Sequence, residues 1–372
     1  MRPSARRPPA LDGSYLVVEL TNRCSLLCVH CSVSEVGHAH HQRTGYLDPA
    51  LFDGLMADLS AVGARFDALI LFWLGEPLLH PHFTRIYRRA VRDSVQYGTF
   101  GKVEVHSNAT HLTPARVAAA LNEAPLPQVW HLSLDAATVE TYRAVKGLDR
   151  FAQVDAQVEH LLRERARLRA PWPRPVLQFI VGDNNVQDVD RFIDRWSGLL
   201  RSIGSPFRLA AGHVPPGEDA VLFLRQRDSA TPEAQDRDNA LLRDAARRLG
   251  LTLPSAEAAV STGATVQAHN LRPCSGFWKS PVISWRGELT ACTRDNLLHN
   301  TLGSLRERPF SALWWGEAMR DHRAAVAGGD YGALPLCQTC FIPTSLNHAE
   351  LSAEDIVKQA NFDDALSAEA AP

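Results

Sequence analysis

Leu20-Thr-Asn-Arg-Cys24-Ser-Leu-Leu-Cys28-Val-His-Cys31 places three cysteines within eight residues, directly after the apolar run 15–20. The run has strand character, so the cysteines fall on the loop at its carboxyl end. Three thiolates on one short loop can hold three irons of a cubane [4Fe–4S] cluster and leave the fourth open to another ligand. A zinc site completed by His30 or His38 would use the same thiolates, and three packing cysteines are the bland alternative. The other four cysteines, Cys274, Cys292, Cys337 and Cys340, come only after some 240 further residues. Seven is an odd number, which argues against a secreted disulfide framework, and three plus four is the arithmetic of two metal sites. Four thiolates can close every iron of a second cluster, which then carries electrons without binding substrate. A zinc ribbon would use the same four.

Downstream of the cysteine loop, short apolar runs alternate with amphipathic stretches as far as about residue 211. Strands are expected at 15–20, 68–72, 102–106, 129–134, 176–181 and 207–211. Helices are expected between them at 49–62, 82–93, 114–122, 139–145, 151–169 and 186–202. Repeated βα units of this kind predict the α/β class and a parallel sheet. Residues 14–212 then form a partial (β/α)6 barrel after an N-terminal tail, 1–13, with chemistry at the carboxyl ends of the strands. Residues 213–270 are polar, with a Pro-Pro-Gly turn and a charged helical stretch at 233–249, and read as a connecting segment. A small α+β iron–sulfur domain follows at 271–345, with a hairpin around Arg286-Gly287. Ser352-Ala-Glu-Asp opens a capped helix in the terminal segment 346–372.

A 372-residue chain with 45% hydrophobic and 22% charged residues can bury a large core. Its net charge of -2 offers no field for nucleic acid or an anionic membrane. No signal-peptide apolar region follows the arginines of residues 1–9, and the run 68–74 is too short to span a bilayer. A cytoplasmic protein acting on a small molecule is the expectation.

The C-x3-C-x2-C loop after a first strand resembles that of the radical S-adenosylmethionine (SAM) enzymes, and later motifs follow in that family's order. Leu74-Gly75-Glu76-Pro77 resembles the GGEP loop, with Leu74 in place of the first glycine; the resemblance assigns Gly75, Glu76 and Pro77 to the SAM amino group. Ser107-Asn108-Ala109 resembles the TNG segment after the third strand, with alanine for glycine. Ser133-Leu134-Asp135 resembles the fourth-strand S-x-D, whose side chains reach the ribose hydroxyls. Asn184 is a further ribose or carboxylate candidate, or a turn former. Cys274, Cys292, Cys337 and Cys340, with the Trp285-Arg-Gly-Glu hairpin, resemble the twitch form of the SPASM extension, which holds one auxiliary cluster.

The resemblance implies SAM and two [4Fe–4S] clusters as cofactors, a one-electron donor such as flavodoxin or ferredoxin, and a 5′-deoxyadenosyl radical that abstracts hydrogen. It also implies an oxidoreductase of antibiotic-type metabolism, acting on an aminocyclitol, sugar or nucleoside, with the auxiliary cluster as electron acceptor. Lys279, Arg294 and Asp295 are candidates for substrate contact or for accepting the carbinol proton, against the simpler reading of ion pairs or cluster surroundings. A peptide maturase is the alternative, disfavoured by the roughly fourteen residues before the first strand; a non-catalytic iron–sulfur or zinc scaffold is the alternative of another class. The histidines of Gly37-His-Ala-His-His41 read as loop residues near the cluster or substrate, with a separate metal site as the other reading.

Overall fold

Strands β1 (Tyr15–Val18), β2 (Phe66–Leu71), β3 (Phe100–Ser107), β4 (Gln128–Ser133) and β5 (Arg174–Val181) lie side by side in chain order, every neighbouring pair parallel. This is a computed structural model, and it describes residues 6–31, 44–121, 125–229, 231–253, 273–338, 340 and 351–370. The segment Gly37-His-Ala-His-His41 lies outside them. Helices α1 (Pro49–Ala61), α2 (Phe83–Tyr97), α3 (Pro114–Leu121), α4 (Val139–Lys146), α5 (Phe151–Leu168) and α6 (Val189–Ser202) make the crossovers. Their ends follow local chemistry: Asp48 accepts from the Ala50 amide at the start of α1, and Thr138 accepts from Thr141 at the start of α4. Gly98 and Gly147 end α2 and α4 in the left-handed conformation.

The sixth barrel strand differs from the sequence expectation. Strand β6 (Phe207–Ala211) forms but does not touch β5. Strand β7 (Ala220–Gln226), from the stretch assigned to a connecting segment, inserts between them, parallel to both. The physical reason lies in composition. Residues 220–224 of β7 are all buried, as a strand covered on both faces requires, whereas β6 carries an exposed Arg208 and suits the edge. Helix α7 (Pro232–Arg248) then packs against β7.

The C-terminal cysteine region continues the same sheet. After α8 (Gly276–Lys279), strand β8 (Val282–Ile283) pairs in parallel with β1, Val17 opposite Val282. Antiparallel β9 (Glu288–Thr290) and β10 (Gly303–Ser304) complete the predicted hairpin and the order β10-β9-β8-β1-β2-β3-β4-β5-β7-β6. Helices α9 (Phe310–Trp314), α10 (Glu317–Ala327), α11 (Pro335–Gln338) and α12 (Ala353–Ala370) follow. Ser352 and Asp355 cap α12 reciprocally.

Strand alternation separates the two faces of the sheet. Outward residues such as Val103, Val105, Trp130, Leu132, Leu177 and Phe179 join the helices in one large core. Inward residues form two smaller apolar clusters, Val129, Val176, Val221 and Phe223 on one side and Val17, Trp73 and Val282 on the other. Between them the lumen wall is polar. No described helix is long and apolar enough to cross a membrane.

Candidate functional site

The cluster loop leaves β1 and is held from two sides. From one side, the Glu76 amide donates to the Arg23 carbonyl at 2.8 Å, and Gly75 lies so close that an added Cβ would stand 2.1 Å from the Thr21 carbonyl oxygen. Only glycine fits there. From the other, the last carbonyls of α4 receive the loop's amides: Leu27 donates to Lys146 and Val29 to Val145, each at 3.0 Å. Gly147 abuts the Leu27 carbonyl, where a Cβ would come within 2.5 Å. Cys24 is exposed, and Cys28 and Cys31 are half-buried.

Several residues assigned to SAM also make contacts that hold the framework of the site. Glu76 is buried, and its carboxylate accepts from the Leu78 amide at 2.9 Å, the Ser107 hydroxyl at 2.9 Å and the Asn108 amide at 2.7 Å. It therefore ties the end of β2 to the end of β3. Burial pushes its carboxyl up to about 6 against the pull of those donors. Pro77 starts the short turn that Glu76 caps. Ser107 also accepts from the Ala109 amide, and Ala109 takes the left-handed φ of 62° that glycine supplies in the resembled motif. Asn108 faces the cluster loop, with its Nδ2 3.6 Å from the Cys24 sulfur and 3.4 Å from the Ser25 hydroxyl.

On β4, Ser133 points inward and accepts from Gln178 at 2.9 Å. Asp135, two residues further on, lies past the end of β4. It is fully buried with φ 59°, its Oδ1 accepts from the Ile180 amide at 2.7 Å, and its Oδ2 pairs with the equally buried Lys146. His30 Nε2 lies 3.8 Å from the same oxygen, and burial pushes this imidazole down to about 4. Asn184 is half-exposed; its neighbour Asn185 is the buried residue, bonded to the Gly182 amide and to the carbonyls of Asp135 and Ile180.

At the second cysteine group, Asn300 Nδ2 approaches the Cys337 sulfur at 3.5 Å and the Arg294 amide approaches Cys292 at 3.4 Å. The four thiols interact with one another. Burial, then Cys292 and Cys340, pushes Cys337 up to about 12, and burial chiefly pushes Cys292 up to about 11. Bare, such thiols stay protonated, and bound iron is the counter-charge that makes four thiolates tolerable in one place. The donor set fits a cluster.

Two of the three proton-acceptor candidates belong to the framework. Lys279 is buried and pairs with Asp355 at 2.8 Å, fastening α12 to α8. Asp295 is buried and accepts from the Thr290 hydroxyl and the His299 and Asn300 amides, closing the Cys292 loop on itself. Arg294 is half-buried beside Cys292.

Sequence reasoning missed the polar group inside the barrel. Glu104 and His106 of β3 and His131 of β4 project inward, with potential ligand atoms within 4.8 Å of one another. His106 Nε2 lies 3.3 Å and His131 Nε2 3.8 Å from Glu104 Oε2, and Lys102 Nζ sits 2.6 Å from Oε1. Burial alone would raise Glu104, but His106, His131 and Lys102 outweigh it and hold the carboxyl below its usual range. Burial, with His106 beside it, pushes His131 down to about 3, and its buried Nδ1 has no partner among the described residues. Phe72, 37% exposed, stacks on His106 at 5.1 Å. One further bond spans the lumen mouth: the Trp73 indole, next to the Gly75 loop, donates to the Thr293 carbonyl in the auxiliary cysteine loop at 2.7 Å.

Comparison with known proteins agrees with this geometry. Residues 18–193 match the family model "Radical SAM superfamily", and residues 274–341 match the model "Iron-sulfur cluster-binding domain" of SPASM type. The GTP 3',8-cyclase of Chlorobaculum tepidum is 31% identical over 148 residues, which are 40% of this chain and 41% of that protein; the chain thus matches about two fifths of that relative's length. Among solved structures, native anSMEcpe with bound AdoMet aligns over 96% of this chain and all of its own at 12% identity and a TM-score of 0.56. BtrN in complex with AdoMet and 2-DOIA aligns over 92% of this chain and 98% of its own, at 16% identity and a TM-score of 0.49. The barrel binds SAM and a [4Fe–4S] cluster, and the C-terminal domain binds auxiliary iron–sulfur. The chain carries a radical SAM domain over residues 18–193 and an iron–sulfur cluster-binding SPASM domain over residues 274–341.

Proposed function

We propose that the protein is an oxidoreductase that takes hydrogen from a carbinol carbon of a small polyhydroxylated substrate, an aminocyclitol, sugar or nucleoside, in specialised metabolism of the antibiotic type. The observation that carries this reading is the Trp73–Thr293 bond, which joins the SAM-side end of β2 directly to the loop of Cys292. The bond supports a reading in which the electron acceptor and the hydrogen-abstracting site share one lumen mouth. With its cofactors bound, the first site supplies a 5′-deoxyadenosyl radical and the second accepts one electron. The remaining work falls to the chain.

The lumen wall suits such a substrate. Phe72 offers an apolar ring for the C–H face of a saturated ring, and Ser133, Gln178, Lys102 and Glu104 offer donors and acceptors for hydroxyls or an amine. His106, oriented by Glu104, is the group we assign to accept the carbinol proton, in place of Lys279 and Asp295, whose polar atoms are engaged elsewhere. Flavodoxin or ferredoxin is the proposed electron donor, and neither nucleic acid nor membrane is a proposed partner.

The test is an anaerobic single turnover of the reconstituted protein with SAM, reduced flavodoxin and a panel of carbinol-deuterated aminocyclitols and sugars. Deuterium is expected in 5′-deoxyadenosine, with a matching ketone, and Cys292→Ala is expected to keep deuterium transfer while losing the ketone. Ketone formation at the intact rate in Cys292→Ala would remove the auxiliary site from the reaction.

A further inference from the structure

The residue that occupies Asp135 sits on the helix that clamps the cluster loop. Tyr142 and Lys146 lie four residues apart on α4, hence on one face of the helix. Lys146 is 1% exposed, and its ammonium is held by Asp135, which is itself fixed through Ile180 and Asn185 to the end of β5. Tyr142 is also 1% exposed, and its hydroxyl has no hydrogen-bond partner among the described residues. A buried phenol calls for an acceptor, and the described residues do not supply one.

The cluster loop needs this charge. It is held by the carbonyl end of α4, through the bonds from Leu27 and Val29, and a helix carbonyl end carries partial negative charge. A cluster bound by three thiolates is anionic, so the clamp brings like charges together. A cation at the last turn of that helix offsets both. The bonds from Leu27 and Val29 seat the loop on the helix end that carries Lys146.

We propose that Lys146 and Tyr142 are positioning residues of the catalytic cluster, Lys146 through its charge and Tyr142 through a hydrogen bond to a cluster sulfur, and that together they raise its reduction potential. Net charge and hydrogen bonds to the sulfurs are the two levers by which a protein sets such a potential. The inference concerns the cluster alone and stands whatever the substrate proves to be.

The experiment uses the full chain, anaerobically reconstituted, as wild type, Lys146→Met/Asp135→Asn and Tyr142→Phe. The double variant removes the pair without leaving a lone buried charge. Iron and sulfide are counted, and midpoints are measured by electron paramagnetic resonance at fixed potentials with and without SAM. The signal that changes with SAM is the catalytic cluster, and the unresponsive one is the auxiliary. Full iron content is expected in both variants, with the reduced fraction of the SAM-responsive cluster falling about tenfold in the double variant, a shift of about -59 mV for one electron. A smaller shift of the same sign is expected in Tyr142→Phe, with the auxiliary midpoint unmoved in both. An unmoved SAM-responsive midpoint in an iron-replete double variant overturns the proposal. If that variant does not retain iron, Tyr142→Phe decides, since it removes one oxygen and no packing, and an unmoved midpoint there overturns it equally.

Discussion

Replacing Gly75 by alanine separates two reasons for a glycine at that position. If glycine is required only so that SAM can approach the backbone, the protein without cofactor should not feel a methyl group. The structure says otherwise, because the added Cβ would stand 2.1 Å from the Thr21 carbonyl oxygen and 2.7 Å from that of Arg23. Both are backbone atoms of the strand end that leads into Cys24, so no flexible side chain can yield. Restoring an ordinary contact of roughly 3.3 Å moves one segment by about 1 Å. That displacement breaks the 2.8 Å bond from the Glu76 amide to Arg23. Loss of the bond costs about 1 kcal/mol, and overpacking a closely fitted site about 1–3 kcal/mol more. At about 2–4 °C per kcal/mol for a large domain, the unreconstituted variant should melt roughly 5–10 °C lower. Scanning calorimetry of the apoprotein measures this directly. After reconstitution, the SAM-induced change in the resonance signal should also weaken, since Cys24 moves with Arg23. An unchanged melting temperature with lost SAM binding would refute the packing argument and return Gly75 to a contact with the cofactor alone.

Glu19 gives a pH signature. It is 1% exposed, and burial, opposed by the Trp285 amide, pushes its carboxyl up to about 7 from an ordinary 4.5. A raised carboxyl favours the proton-bearing folded state, so its contribution is present below about pH 4.5 and is lost as pH rises towards 7. The loss is on the order of 3 kcal/mol, and Glu19→Gln should abolish it, leaving the variant more stable than wild type at pH 8 in urea titrations. Lys279→Met should strand Asp355 and lower stability by about 3–5 kcal/mol while 5′-deoxyadenosine formation survives; loss of that formation in a folded variant would restore a direct role for Lys279. Changing Cys24, Cys28 and Cys31 together to alanine should take the iron content from about eight to about four and end SAM cleavage, whereas about four irons with zinc in the intact protein would remove the electron acceptor.

Order along the chain was legible because each motif follows an apolar run, and strand ends in a parallel sheet collect on one side. The cysteine loop, Gly75, Asn108 and Ser133 all lie at such ends. Direction was not legible. Ser133 and Asp135 are two apart and would share a face if β4 continued, but the strand stops at Ser133 and Asp135 turns through a positive φ. Its carboxylate then meets Lys146, eleven residues on, at the far end of α4. The surroundings of Lys279 and Asp295 were not legible for a related reason. A charged residue near a cysteine in sequence reads as exposed chemistry, yet both are buried and spend their polar atoms on a helix tether and a loop closure. Strand β7 was hidden by the polar residues around it, since a single five-residue apolar core carries little periodicity.

The lumen group was in principle visible. A parallel strand covered on both faces reads as an unbroken apolar run, yet β3 places Lys102, Glu104 and His106 at every second position among Val103 and Val105, and β4 places His131 and Ser133 likewise. Ionisable residues at period two in a buried sheet are costly unless paired, so their inward face must be polar, and a barrel interior that excludes water is where chemistry repays that cost. The same strand that carries His106 into the lumen ends one residue later in Ser107 and Asn108, which reach Glu76 and the cluster loop. A side chain facing the lumen and a backbone holding the cofactor loops are thus fixed by one strand. Any displacement of β3 therefore moves the lumen side chains and the residues that hold the Glu76 and cluster loops together.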